Sequence, residues 1–359
     1  MTNDKGILIK NIYYMLSYAF QVLRQSNYDE IAAEEFDNIQ NLFAAILCKG
    51  ISQQLKQGLY REYVEKAENL ITLHGKLDMQ TTVKNKMQKK QVLACEYDEL
   101  SRNNIFNQII KTTAILLLHE PTVDRKWKQL LKENILFFGE VDMIEPKLVC
   151  WKRLNFHRNN QNYQMLINIC YFVLDGLLLT TESGMYKMYS FSDEHMARLF
   201  EKFVLEYYRQ HYPELKASAV QIHWNLDDGR DNKAIQFLPV MKTDITLRYK
   251  GKTLIIDTKY YTHTMQMQYD KYSLHSGNLY QIFTYVKNYD TKSKGNVAGL
   301  LLYAKTEERI IPDCEYSIDG NKISVKTLDL NVDFKLIAKQ LDGIVKENFE
   351  KIEDNKAYL

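Results

Sequence analysis

The chain has 359 residues, of which 45% are apolar, and carries a net charge of only +2. That is enough apolar material for full cores in two domains, and it excludes a global field as the means of holding a polyanion, so any nucleic-acid contact has to come from local patches. No run approaches 18 apolar residues and the opening "MTNDKGILIKNIYYML" lacks the basic-then-apolar order of a signal peptide, so a cytoplasmic chain without a membrane partner is expected.

The first half reads as mainly helical. Ile9, Ile12, Tyr13, Leu16, Ala19, Phe20 and Leu23 recur at helical spacing and predict a helix over 7–24, and a second is expected over 34–57. Residues 60–100 differ. The β-like pieces "NLITLHGKLDM" and "KKQVLACEYDEL" flank the basic stretch "KNKMQKKQ", which suggests a small β insertion with a protruding hairpin. "SRNNIFNQIIKTTAILLLHE" then opens a long helix with Ser101 or Asn103 as its cap, and further helices are expected near 123–135 and 160–180. This half holds neither a P-loop nor a catalytic constellation.

The character changes near 185–192. "FSDEHMARLFEKFVLEYYRQHYPEL" is an amphipathic helix with Ser192 as cap and Pro213 as its limit. A polar loop follows over 224–236, then the hairpin "MKTDITLRYKGKTLIIDTKYY", the helix "NLYQIFTYVKNY" and "VAGLLLYA", whose length and lack of alternation suit a fully buried strand. "CEYSIDGNKISVKTL" holds an Asp-Gly turn between alternating runs, an edge hairpin, and "FKLIAKQLDGIVKENF" is a closing helix. Helices against a mixed sheet make this half an α/β core. The five cysteines are scattered without a C-x-x-C pair, which fits reduced thiols and argues against a cysteine zinc site. His74, His263 and His275 show no metal-ligand spacing.

The hairpin concentrates the chemistry. With Lys250-Gly251 as a two-residue turn, counting outward sets Asp244 opposite Asp257, with Cβ atoms about 4.5–5.5 Å apart, and period-2 alternation puts Lys259 on the same face. A three-residue loop would send Asp244 to the other face unless a bulge or bend corrected it. Two opposed carboxylates repel by about 1 kcal/mol in water and about 4 at a dielectric of 20, and a hard cation such as Mg²⁺ offsets that cost. Asp244, Asp257 and the carbonyl of Thr258 are therefore candidate metal ligands, and Lys259 can stabilise charge on a phosphoryl group. An isolated Asp-x-Lys is more often a surface ion pair. Glu201 sits at the edge of the preceding helix's apolar stripe and could supply a third carboxylate or pair with a lysine. Gln281 and Tyr285 are i, i+4 on the next helix and can bond phosphate oxygens or position the lysine. His275 beside Ser276 either touches DNA or caps that helix.

Asp, hairpin, Asp-x-Lys and then Q-x-x-x-Y resembles the PD-(D/E)xK nuclease superfamily, in particular its RecB-like branch. Thr243 stands where the motif has proline, and the nearest proline is Pro239. "IKNIYYMLSYAF", "LSRNNIFNQIIKTTA", "LPVMKTDITLRYKGKTLIIDTKYY", "HSGNLYQIFTYV" and "VAGLLLYAKT" are similar, in order and spacing, to the McrC family, the nuclease subunits of McrBC-type modification-dependent restriction systems. The resemblance covers almost the whole chain.

It implies a PD-(D/E)xK nuclease domain over 189–359 and a partner-binding domain over 1–188, helical with a β insertion. The implied partner is a McrB-like AAA+ GTPase hexamer that binds the GTP itself and has its hydrolysis stimulated. The implied reaction is Mg²⁺-dependent cutting of double-stranded DNA, with Mn²⁺ as an alternative. By the same resemblance Asp244 and Asp257 are metal ligands, Lys259 is the catalytic lysine, and Gln281 and Tyr285 form the accessory motif. Lys76, Lys84, Lys86, Lys89 and Lys90 suit insertion of the β element into an acidic pore. A stand-alone RecB-like repair nuclease and a non-catalytic adaptor that only activates the motor are the competing expectations.

Overall fold

The computed structural model describes residues 3–4, 7–19, 36–157, 160, 163–180, 186–188, 193–226, 236–260, 265–268, 271–305 and 312–349. Phe20 and Leu23 of the first expected helix, the expected cap Ser192, most of the 224–236 loop and His263 lie outside them. The chain divides into two compact units, Met1–Leu42 with Tyr189–Leu359, and Phe43–Met188. The first helix, α1 (Ile9–Ala19), thus counts with the C-terminal unit rather than with the N-terminal half.

The second unit begins within α2 (Ile39–Gln57), at Phe43; the helix itself starts where Asn38 Oδ1 accepts from the Asn41 N–H at 2.8 Å. Its β element comprises β1 (Glu62–Leu70), β2 (Lys76–Leu77), α3 (Met79–Met87) and β3 (Leu93–Ser101). β1 and β3 pair antiparallel from Glu62↔Ser101 to Leu70↔Leu93, and β2 adds to β3. The first half of the stretch expected to form a hairpin tip, Lys84–Met87, is instead the end of a helix. Asp78 caps α3 by accepting from Gln80 and Thr81 N–H groups, and Thr82 Oγ1 accepts from Ala94 N at 2.9 Å, tying the helix to β3. Then come α4 (Ile105–His119), α5 (Arg125–Ile135) and α6 (Gln164–Tyr171). The cap of α4 is Asn104, not Ser101 or Asn103: its Oδ1 accepts from Asn107 N at 3.2 Å while its amide donates to Tyr60 O. Among the described residues, the helix expected over 160–180 is α-helical only across α6, followed by a π-helical turn at Phe172–Leu177 and a strand at Leu178–Thr180.

The C-terminal unit continues with α7 (Asp193–His211), β4 (Ile245–Tyr249), β5 (Lys252–Lys259), α8 (Ser276–Tyr289), β6 (Val297–Ala304), β7 (Cys314–Ile318), β8 (Asn321–Leu328) and α9 (Phe334–Asn348). Its sheet has the order β4-β5-β6-β8-β7, antiparallel at both ends and parallel between β5, β6 and β8. Strands with neighbours on both sides and helices over both faces read as continuous apolar runs, and β6 has no exposed residue.

One face of the sheet is covered by α8, whose Ile282, Tyr285 and Val286 pack on Ile255, Leu301, Tyr303, Ile323 and Val325. Gly299 sets how closely α8 approaches. A Cβ there would lie 2.8–2.9 Å from Ile282, Ile323 and Val286 side-chain atoms. The α1, α7 and α9 helices form the other layer, joined by a ring cluster of Tyr18, Phe203, Tyr207 and Phe334. Inside it the buried Asp342 accepts from the hydroxyls of Tyr207 at 2.9 Å and Tyr212 at 2.7 Å, so the charge is paired by hydrogen bonds. Asn11 donates to Leu330 O and Val332 O, both at 2.7 Å, which pins α1 to the start of α9.

Candidate active site

The β4–β5 turn is Lys250-Gly251, with φ of +45° and +82°. Two positive φ values give the type I′ geometry that matches strand twist. The turn fixes the register Tyr249↔Lys252 through Ile245↔Ile256. One further step would put Asp244 squarely opposite Asp257, but the ladder stops at Ile245.

The cause lies on the outer side of β4. Residues 218–222 run antiparallel to it. Gln221 pairs with Lys242, Thr243 N donates to Val220 O at 2.9 Å, and Ser218 pairs with Thr246. Between Val220 and Ser218 there is one residue, Ala219. Between Thr243 and Thr246 there are two, Asp244 and Ile245. This is a β-bulge at Asp244, and it bends the strand away from β5. The N–H of Thr258, which loses its main-chain partner, donates instead to Asp244 Oδ2 at 2.7 Å, and the Thr258 hydroxyl donates to the same oxygen at 2.8 Å. Thr243, beside the bulge, uses both its N–H and its hydroxyl. Thr243 uses its N–H on Val220, its Oγ1 accepts from Val220 N at 2.9 Å, and that hydroxyl meets Thr246 Oγ1 at 2.9 Å. A proline could make none of these contacts.

Asp257 and Lys259 alternate onto the α8 face of β5. Asp257 is 1% exposed, and the Lys259 ammonium lies 2.8 Å from its Oδ2. That ion pair is close but poorly aligned as a hydrogen bond, so Oδ2 is left buried without a directed donor. Lys259 also donates to Gln281 Oε1 at 3.0 Å, and Gln281 Nε2 donates to the Tyr285 hydroxyl at 2.9 Å. Asp257, Lys259, Gln281 and Tyr285 therefore form one continuous polar chain from strand to helix.

Burial pushes the Asp257 carboxyl up to about 6; Lys259 opposes the shift and Asp244 adds to it. The carboxyl of the half-buried Glu201, on α7, is also raised, first by burial and then by Asp244, with Lys242 opposing and Asp257 adding. Glu201 is thus within Coulomb range of both aspartates. Among the described residues, however, no three of His, Cys, Asp and Glu come close enough to hold a metal ion together.

The donor set fits a hard divalent cation through two aspartates. Such ions use one or two carboxylates with water, and the buried Asp257 carboxyl, which Lys259 compensates only in part, would be favoured by a second positive charge. Within an extended strand a residue's N–H and C=O point to the same side, so the Thr258 carbonyl faces the Asp244 side as well.

The remaining expected residues lie elsewhere. His275 is the residue before α8, and its carbonyl accepts from Asn278 N and Leu279 N, while its side chain makes no capping bond. Lys76 pairs with Glu96 at 3.3 Å, and Lys84, Lys86, Lys89 and Lys90 are exposed on α3 and the turn after it. Sequence reasoning missed the apolar side of that helix. Met79, Val83 and Met87, at i, i+4 and i+8, are 64%, 51% and 81% exposed. It also missed the Thr243 and Thr258 hydroxyls, for which the only signal was a β-branched polar residue beside each aspartate.

Fold and site together define a two-unit α/β protein with an acid–lysine cluster at a sheet end, linked to a Q-x-x-x-Y helix. Residues 3–304 match the family described as "McrBC 5-methylcytosine restriction system component", and the chain belongs to that family. It is similar to the Escherichia coli (strain K12) protein "Type IV methyl-directed restriction enzyme EcoKMcrBC", with 26% identity over 347 residues, 95% of this chain and 98% of that protein. Among solved structures it resembles in fold a chain of the "Refined half-complex from tetradecameric assembly of Thermococcus gammatolerans McrB AAA+ hexamers with bound McrC". The TM-score is 0.51 at 19% identity, over 94% of this chain and 76% of that one. Among the described residues no helix is long and apolar enough to cross a membrane.

Proposed function

We propose that the chain is the McrC-like nuclease subunit of a McrBC-type restriction complex. In this reading it carries a RecB-like PD-(D/E)xK centre, cuts double-stranded DNA and acts with a McrB-like AAA+ GTPase hexamer whose GTP hydrolysis it stimulates. The observation that carries the reading is the polar chain Asp257–Lys259–Gln281–Tyr285 beside the re-aimed Asp244, within a member of this family. Asp244, Asp257 and the Thr258 carbonyl would hold Mg²⁺, or Mn²⁺ in its place. A bound ion there supplies Lewis-acid polarisation of the phosphoryl oxygen and a more acidic water.

The chain's own groups do the rest. Gln281, held by the Tyr285 hydroxyl, fixes the Lys259 ammonium at the cluster, where it offsets charge developing on the scissile phosphate. Thr258 holds Asp244 in its bent position. Glu201, its carboxyl raised, tunes the local field from α7. The exposed β element, with its lysines and the Met79–Val83–Met87 stripe, is the docking surface for the GTPase partner.

The test is cleavage of methylated double-stranded DNA by the full chain with its AAA+ partner, GTP and Mg²⁺. Asp257→Ala and Lys259→Ala should abolish cutting and leave stimulation of GTP hydrolysis intact. Loss of both activities together would refute the two-function division. Cutting without partner or GTP would favour a stand-alone nuclease, and restriction unaffected by Lys259→Ala a non-catalytic adaptor.

A further inference from the structure

A cavity of about 870 Å³ opens on the C-terminal unit, lined among others by Gln221, His223, Trp224, Asn225, Asn288 and Tyr289. Two elements of the candidate active site form its walls. On one side Pro239 and Val240 lead through Met241 and Lys242 to Asp244. On the other, α8 carries Gln281, Tyr285, Asn288 and Tyr289 at i, i+4, i+7 and i+8, one stripe of the helix. The line that positions Lys259 therefore runs on into the cavity. Tyr289 lies about 6 Å along the axis beyond Tyr285, and Gln281 about 12 Å before Tyr289. At about 3.4 Å per nucleotide along one strand, that separates the cavity from the lysine by two to four nucleotides.

The lining chemistry is specific in kind. Trp224 and Tyr289, each packed in part against the core, line the cavity with aromatic surface, and Gln221 and Asn225 bring amide groups that can donate and accept. The indole is fixed in place: its N–H donates to Pro239 O at 2.8 Å. The wall behind is fixed as well, since Asn288 Oδ1 accepts from Asn225 N at 2.8 Å and its amide donates to Thr284 O at 2.9 Å. Flat apolar faces with amides at the edge recognise a planar, hydrogen-bonding heterocycle, as in sites that stack an unpaired base.

We propose that this cavity is a nucleobase-binding site that takes one unstacked base of the DNA strand two to four nucleotides from the scissile phosphate. The assignment rests on the nuclease reading for its geometry, but it makes a separate prediction about binding. Extruding a paired base costs a few kcal/mol, so the site favours strands that are already unpaired next to the cut.

The test uses the full-length chain in Ca²⁺ without cleavage and a single-stranded oligonucleotide carrying 2-aminopurine. Binding should quench the probe by stacking. Trp224→Leu should abolish quenching and weaken binding about 5- to 150-fold, while Trp224→Phe should restore most of both. Circular dichroism confirms that the variants are folded. No quenching by the wild type, or Trp224→Leu binding and quenching like the wild type, would overturn the proposal. Lys259→Ala keeps the readings distinct: it should quench fully in Ca²⁺ and, in the separate assay with the AAA+ partner, GTP and Mg²⁺, cut nothing. If it still cuts, the nuclease reading fails while the quenching result stands by itself.

Discussion

Asp257→Asn is the sharpest single perturbation of the candidate site, because its effect has a predicted shape in pH as well as a size. The carboxyl is pushed from the ordinary 3.8 to about 6, mainly by burial. Below the ordinary value it is protonated in both folded and unfolded chains and costs nothing. Between about 4 and 6 the unfolded chain releases the proton and the folded chain keeps it. Above 6 both are ionised and the folded state bears the whole penalty. About two pKa units at 1.36 kcal/mol each make that penalty about 3 kcal/mol.

Asparagine carries no such penalty, and the lost attraction to Lys259, which opposes the rise, is already contained in the net shift. The stability of the variant relative to wild type should therefore rise by about 3 kcal/mol between pH 4 and pH 7.5, with most of the change below pH 6.5. Urea denaturation of the full-length chain in EDTA, followed by far-ultraviolet circular dichroism at four pH values, measures it. A difference that stays flat or shrinks with rising pH would show that Asp257 is not a desolvated, undercompensated carboxylate. Mg²⁺ should in turn raise the wild-type midpoint at pH 7.5 and leave the asparagine variant's nearly unchanged.

Other substitutions probe the scaffold of the site. Thr258→Val removes the hydroxyl bond to Asp244 and should weaken Ca²⁺ binding measured by calorimetry as well as slow cleavage, with Thr258→Ser restoring both. Thr243→Pro should destabilise by about 1–3 kcal/mol in denaturant titrations, because the proline cannot bond Val220. Gly299→Ala should cost about 1–3 kcal/mol by overpacking against Ile282, Val286 and Ile323, seen as a lower urea midpoint. Met87→Glu on the exposed stripe of α3 should impair stimulation of the partner's GTP hydrolysis while the chain's own thermal midpoint stays within about 0.5 kcal/mol equivalent; normal stimulation would remove that stripe from the docking surface.

Much of the C-terminal unit was legible because its signals are local. The Asp319-Gly320 and Lys250-Gly251 turns, the unbroken apolar run of β6 and the stripe of α8 each report their own element. Alternation on β5 put Lys259 on the face of Asp257, and periodicity put Gln281 and Tyr285 on one line of α8 with two roles open; that the lysine meets Gln281 is set by how α8 packs on the sheet. What escaped was set at a distance. The bend at Asp244 depends on how residues 218–222 count against 241–246, which no inspection of the hairpin reveals. The membership of α1 in the C-terminal unit depends on Asn11 meeting carbonyls at 330 and 332. The helix over 79–87 was not expected, and its last turn fell in the stretch read as a hairpin tip, because the lysines masked a good cap at Asp78 and a buried Thr82.

The bulge at Asp244 makes the site a matter of phase. Side chains on a strand alternate with period two, so one surplus residue puts everything upstream out of step with everything downstream. Asp257 owes its place to the even beat of β5; Asp244 owes its place to the missed beat beside it. A single residue inserted next to Ala219 would restore the rhythm, leave every acid and lysine in the sequence, and turn Asp244 back into direct opposition with Asp257. In this part of the molecule, chain length between fixed points is as much a functional constraint as the identity of the side chains.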